Sequence, residues 1–250
     1  MEVLTYAKTP YQPGEVSIYK LYYSGIYVGM SWLKVHKPIL KEHSFWQHFT
    51  MKAETGEWYE SIFEGREFAM AYVAPSPSFA VKKFYMKQYE HPAFSKLFAQ
   101  EKWLTFDHTK CQAHETVRQK GKMAKKLKHY LLRGSLGTVG ATMKLRSLDY
   151  SNQKPLFLPV YSSGKNWELE VTPEGTAQLS FNGQVTIADK LALKSYIGED
   201  LQQQGKLHIW IARNHPNRPI LQVHGEIKIG SIHIELDSFS PGKRHHGPVN

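Results

Sequence analysis

Apolar residues in this chain alternate with polar or aromatic ones over strand-length runs, and nowhere do they recur at helical spacing long enough to make an ordinary amphipathic helix. From Val16, one face would carry Val16, Ile18, Lys20 and Tyr22, and the other Ser17, Tyr19, Leu21 and Tyr23. A turn at Gly25 leads into a second run from Val28 to His36, the pattern of a hairpin. Further strand-like runs are Phe45 to Ala53, Glu57 to Phe63, Glu67 to Val73, Ala80 to Lys87 and Trp103 to Asp107. Pro75 and Pro77 interrupt the series because proline supplies no ladder donor. After an interruption the pattern resumes at Leu156 to Tyr161, Trp167 to Thr172, Ala177 to Phe181, Leu207 to Ala212 and Ile220 to His224. A last run, Glu226 to Phe239, should bend or divide near Gly230. Strands spaced by roughly 8–12 residues with turn signals between them predict an all-β, mainly antiparallel fold and argue against a parallel α/β sheet. One or two short helices fit: Ala141 to Leu148 behind Gly134, Gly137 and Gly140, and a single turn within His91 to Ala99.

The chain has 250 residues and no Pro/Ser-rich linker or internal repeat, so residues 15–240 are expected to form one domain, with 1–14 and 241–250 loosely ordered. No stretch approaches about 18 consecutive apolar residues, and no charged start is followed by a leader-like apolar run, so neither a spanning helix nor a secretory signal is expected in the chain as it stands. A leader removed ahead of Met1 is compatible with this. Cys111 is the single cysteine, which excludes an intrachain disulfide and any multi-cysteine metal site.

Charge is unevenly distributed. Between Arg118 and Leu148 lie Arg118, Lys120, Lys122, Lys125, Lys126, Lys128, Arg133, Lys144 and Arg146, with no Asp or Glu. These are nine of the 32 basic residues, leaving 23 against 22 acidic ones, so the protein is a neutral body with one basic segment. Such a block either attracts polyanions by a salt-sensitive term or serves as a solvated surface, and these nine residues are the candidate anionic-ligand set. With 13 histidines, the positive charge also grows near pH 5–6.

Motifs that would carry chemistry are sparse. Asp107, His108, Cys111 and His114 offer metal-ligating groups, but on a strand His108 and Cys111 face opposite sides, and a hairpin connection with a small thiol is the better reading. No histidine pair matches a helical His-Glu-x-x-His spacing. The glycines at 134, 137 and 140 lack a phosphate-loop ending and read as a turn that enters and caps a helix. No Gly-x-Ser-x-Gly elbow exists, and Glu57, Glu60 and Glu64 are expected to face solvent. No catalytic residue, metal ligand or cofactor site is assigned. Aromatic density remains: Tyr19, Tyr22, Tyr23, Trp32, Trp46 and Trp58 are candidates to line a cavity, although aromatics on strands also fill cores.

Two segments carry a family resemblance. Tyr19 to Val35 (YKLYYSGIYVGMSWLKV) resembles the opening strand, glycine turn and second strand of the bacterial domain-of-unknown-function family 3108. Gly205 to Ala212 (GKLHIWIA), Arg218 to Val223 (RPILQV) and Lys228 to Leu236 (KIGSIHIEL) resemble its closing strands. Thr138 to Leu148 sits where the family has a short helix, and Phe157 to Val160 where a strand resumes; the Lys120 to Lys128 block has no counterpart. The resemblance implies a periplasmic or secreted protein with a strongly curved spiral or half-barrel sheet, like envelope proteins that carry lipids or lipoproteins, and brings no catalytic residues. The combined expectation is a non-enzymatic envelope protein binding an anionic lipid, lipopolysaccharide or peptidoglycan component in an aromatic-lined concavity, with peripheral membrane contact. Its rivals are a glycan-acting enzyme with carboxylates or histidines in a cleft, and a protein-interaction module pairing through an exposed sheet edge. A periplasmic setting disfavours nucleic acid as the partner.

Overall fold

The structure, a computed structural model, describes residues 10–243 apart from positions 42, 61, 94–95, 121 and 203–204. The first half holds β1 (Glu15–Tyr23), β2 (Ile26–Val35), β3 (Ile39–Lys41), β4 (Ser44–Thr55), β5 (Phe63–Val73), β6 (Val81–Pro92), β7 (Phe98–Asp107), β8 (Gln112–Gln119) and β9 (Lys125–Tyr130). The helix α1 (Thr138–Ser147) follows, then β10 (Leu156–Ser162), β11 (Lys165–Phe181), β12 (Gln184–Ile197), β13 (Asp200–Leu201), β14 (Leu207–Ala212), β15 (Ile220–Glu226) and β16 (Ser231–Pro241).

All sixteen strands belong to one sheet, in the order β10-β11-β12-β14-β15-β16-β1-β2-β4-β5-β6-β7-β8-β9, with β3 and β13 attached to β4 and β12. Every named strand pair is antiparallel, so the expected all-β curved sheet is what forms. Local sequence closes the hairpins. Ser163–Gly164 and Asn182–Gly183 both have positive φ at each residue, the conformation that a two-residue turn needs to match the twist of its strands. The first and last strands, β1 and β16, pair in mid-sheet, which brings the two segments of the family resemblance into one contiguous half.

The strand ladder does not close, since β9 and β10 are its two edges. The connector after β9 bridges part of this gap: Leu136 N donates to Pro159 O at 2.8 Å and Tyr161 N donates to Leu136 O at 2.7 Å. Asn166 adds a side-chain clasp, donating to Tyr130 O at 2.9 Å and accepting from Leu132 N at 3.0 Å.

The connector then turns α1 into the concave side of the sheet. Eight of the ten helix residues are buried, including Lys144 and Arg146, so the helix has no solvent face of ordinary width. Val139, Ala141, Met143 and Leu145 pack with Val35, Phe49, Val73, Val171, Leu191, Ile209 and Ile211, which come from strands all round the sheet. The helix therefore plugs one end of an open barrel and leaves the inner wall of the other end uncovered.

Several boundaries differ from expectation. Residues 57–60 form turns, and β5 starts only at Phe63. Between His91 and Ala99 the described residues contain the end of β6 and the start of β7 and no helix. The two runs from Trp167 to Phe181 are one long strand with a register shift between Pro173 and Thr176. Strands β8, β9 and β12 had no sequence counterpart, whereas the break near Gly230 is present between β15 and β16. The ordered N-terminal region also reaches further than residue 15, because Tyr11 is buried against Phe49 and Phe79. At the other end, β16 continues to Pro241; residues 1–9 and 244–250 lie outside the described residues.

Candidate ligand-binding lumen

Alternation along β4 to β8 decides what the open half of the barrel presents inward. Ala71 and Val73 of β5 and Phe49 of β4 belong to the core, so Met51 and Glu67, an even number of positions away, share their face. By the same rule Phe84 and Met86 of β6, Lys102, Leu104 and Phe106 of β7, and Ala113 and Glu115 of β8 point inward. Met51, Glu67, Phe84, Met86, Lys102, Leu104, Phe106 and Glu115 line a cavity of about 200 Å³, floored by Gly137 and Thr138 at the start of α1 and closed at the seam by Tyr161 and the turn at Ser162, Ser163 and Gly164. A second cavity of about 280 Å³, lined by Tyr19, Leu33, Met51, Ala53, Thr142, Ile220, Val223 and Ile234 among others, adjoins it at Met51 and Glu67. Together they form an elongated, mainly apolar lumen over the helix.

Polar groups gather at one end of it. Glu115 Oε2 lies 2.9 Å from His129 Nε2 of β9, across the two edge-proximal strands. Among the described residues the buried Tyr161 hydroxyl has no hydrogen-bond partner, and the residue is 3% exposed. Burial, reinforced by the nearby Glu115 charge, pushes its pKa up to about 12, so it stays a neutral donor. Glu67 keeps solvent access through the lumen mouth, yet crowding by the wall, with the Glu90 charge added, holds its carboxyl above the usual range against the opposing pull of Lys102.

The basic segment borders the rim of the same strands. On β7, Lys102 lines the lumen and Gln100, two residues away on the same face, borders an open rim cleft of about 580 Å³. Arg118, Lys120, Lys122 and Lys87 line this cleft, beside Glu101 and Met123; Lys87, Glu101 and Arg118 pair out of phase with the lumen residues and so lie on the outer face, where Arg118 covers the Trp103 ring at 5.8 Å. Lys125, Lys126 and Lys128 continue along the exposed edge strand β9. Six of the nine sequence-predicted cations thus lie on or between β8 and β9, three of them at the rim cleft and three along β9, where Lys128 stands opposite His114.

The other three do not join them. Arg133 is exposed in the turn before α1. Lys144 is buried and donates to Pro77 O at 2.8 Å. Arg146, 1% exposed, donates to Glu15 Oε1 at 2.7 Å, Pro10 O at 2.7 Å and Asn217 O at 2.6 Å. It holds the plug in place and is not available to a ligand.

The predicted aromatic lining needs a larger correction. Tyr19 does line the lumen. Trp32 borders it, but alternation with Leu33 puts its ring outside, beneath Lys52 Nζ at 5.1 Å. Trp46 is buried on the outer face between Lys41 and Lys83, at 5.3 and 5.6 Å from their ammonium nitrogens. Tyr22 packs edge-on against Tyr27, Tyr23 donates to Ile229 O at 2.8 Å, and Trp58 is 53% exposed in the turn after β4. Met51, Phe84, Met86, Phe106 and Tyr161 form the wall instead, and even spacing along β6 and β7 was the available signal.

The remaining constellations resolve as structure. Asp107 Oδ1 accepts from Thr109 N and Lys110 N, and His108 bonds Val81 O and Gly134 N. Cys111 Sγ contacts His108 O at 3.8 Å, so this is the connection of the β7–β8 hairpin. Among the described residues no group of three or more His, Cys, Asp or Glu is placed to hold a metal ion. Glu60 and Glu64 pair with Arg66 at 3.5 and 2.9 Å on an exposed corner.

Fold and lumen together define an open antiparallel barrel with an internal helical plug. The fold is similar to that of a β-barrel-like protein of domain of unknown function 1849 from Brucella abortus, with a TM-score of 0.58 and 9% identity over 90% of this chain and 96% of that one. Looser similarity, with a TM-score of 0.36 and 9% identity over 95% of this chain and 100% of that one, links the chain to a protein from Bacteroides fragilis assigned as exported and YmcC-like in fold. A protein from Parabacteroides distasonis assigned as a lipoprotein has a TM-score of 0.33 and 8% identity over 94% and 99% of the two chains. At these identities the likeness concerns fold alone. No protein-family model and no curated protein matches the chain, so the resemblance to family 3108 rests on the quoted segments.

Proposed function

We propose that this protein is a non-enzymatic component of the bacterial cell envelope that shelters the acyl part of an anionic lipid in its lumen while the basic rim holds the head group. The observation that carries this reading is the lumen itself, walled over α1 by Met51, Phe84, Met86, Leu104 and Phe106, with Lys87, Arg118 and Lys120 on the outer side of the rim at the end of the same strands β6 to β8. Apolar pockets with a few polar groups at one end suit amphiphiles, and an exposed cationic rim adds attraction that salt screens. The envelope setting rests on the resemblance to family 3108. The edge-pairing alternative loses weight because β9, one free edge, carries Lys125, Lys126 and Lys128, charges of the kind that discourage strand addition.

Native mass spectrometry of the gently purified protein, followed by denaturing extraction, tests the reading. The expected result is a co-purifying acyl lipid that is lost from a Met51→Trp variant, whose indole would fill the channel. An apo mass for the wild type, persisting after incubation with phosphatidylglycerol, would contradict it.

A further inference from the structure

The polar end of the lumen has no role in holding a plain hydrocarbon tail. Tyr161 presents a buried hydroxyl without a partner, beside Glu115, whose Oε2 is engaged by His129. Leaving a buried hydroxyl unsatisfied is unfavourable, and such a group in a cavity wall is matched when a ligand brings the missing partner. The wall around it fixes the character of that partner. Phe84, Met86, Leu104 and Phe106 demand an apolar body. Glu67 and Glu115 stand across the same space from Lys102, so the lining has both signs and does not favour a buried anion. A neutral group that both accepts and donates fits: it can accept from Tyr161 Oη–H and donate to the Glu115 carboxylate.

Resting on the lipid-binding reading above, we propose that the lumen selects an acyl chain bearing a hydroxyl group along its length, with Tyr161 as the specificity-determining residue. The head group lies at the rim beside Gln100 and Lys102, the chain follows the inner face of β6 and β7, and the hydroxyl meets Tyr161 and Glu115 beside the first turn of α1.

The test is displacement of a fluorescent fatty-acid probe from the full protein by octadecanoic acid and by its isomers hydroxylated at successive mid-chain positions. At least one hydroxylated isomer should compete about five- to tenfold better than the plain acid, the ratio that one net hydrogen bond supplies. In Tyr161→Phe this preference should vanish while the plain acid competes as before. Thermal unfolding serves as the folding check, since removing a hydroxyl that has no partner should not lower the Tm. Equal competition by all isomers in the wild type overturns the hydroxyl selectivity but not the lumen as an acyl site. A preference that survives in Tyr161→Phe overturns the assignment to that residue. Failure of the probe and every acid to bind overturns both readings.

Discussion

Arg146 shows how far a residue's role can lie from its apparent company. It belongs to a run of cations in sequence, yet its guanidinium ties α1 to the N-terminal segment at Pro10, to Glu15 of β1 and to the Asn217 carbonyl in the β14–β15 loop. Asn217 completes the cluster by donating to Glu15 Oε2 at 2.6 Å and to Pro241 O at 2.9 Å. Replacing one member strands a buried charge, so Arg146→Met should lower unfolding stability by about 3–5 kcal/mol in denaturant titration, and adding Glu15→Leu should recover part of that loss. A near-neutral Arg146→Met would show that the network is not holding the plug. His108 is a second buried latch. Its Nε2–H must donate to Val81 O, 2.6 Å away, because a carbonyl only accepts, which leaves Nδ1 to accept from Gly134 N–H at 3.2 Å. A second proton would oppose that N–H, and burial holds the pKa below the ordinary histidine value of 6.5. Burial does the same for His36, His48 and His215. With folded pKa values below the unfolded one, the folded state takes up these protons less readily, so their stability contribution is complete above about pH 6.5 and is lost as pH falls through the folded values. Chemical denaturation between about pH 7.5 and 5 should show that decline, and His108→Gln should flatten it in part; an unchanged slope would assign the acid sensitivity elsewhere.

At the level of elements, the seam between β9 and β10 is the weakest joint in the sheet, bridged by one connector and the Asn166 clasp. Asn166→Ala should remove about 1 kcal/mol locally and speed hydrogen exchange at the Leu132 amide and along β9, while amides of the central pair β1–β16 keep their protection. Uniform change across both regions would mean that the seam opens only with the whole barrel. The same region explains what the sequence concealed. Strands β4 and β14 alternate cleanly because their inner residues Phe49, Ile209 and Ile211 meet the helical plug. Strands β8 and β9 place Glu115, Lys125 and His129 on the inner face, where the wall borders an open lumen, and this breaks the polar/apolar rhythm that marks a half-buried strand. The misassigned aromatics have a related cause. Alternation tells which residues share a face but not which face is concave, so Trp32 and Trp46 could be placed on the inner surface only until the helix revealed which side is covered.

On the scale of the whole molecule, the sixteen described strands curl around one short helix, and the uncovered half of the inner wall is the proposed binding surface. The strand pattern and the helix position were legible from alternation and glycine placement. The lumen was not, because it is assembled from residues on strands far apart in sequence, and neither was the separation of the cations into three at the rim, three along β9, one in a turn and two inside. Methionine distribution offers a direct test of the central claim. Met51 and Met86 line the lumen, Met143 sits in the plug core, Met123 is 91% exposed at the rim, and alternation puts Met30 and Met70 on the outer face. With methyl-labelled methionine, a titration with short-chain phosphatidylglycerol followed by NMR should shift Met51 and Met86 strongly, shift Met123 in a manner that weakens with added salt, and leave Met30 and Met70 in place. Shifts confined to Met123, with Met51 and Met86 unmoved at saturating lipid, would contradict the account by showing that lipid touches the basic rim and never enters the barrel.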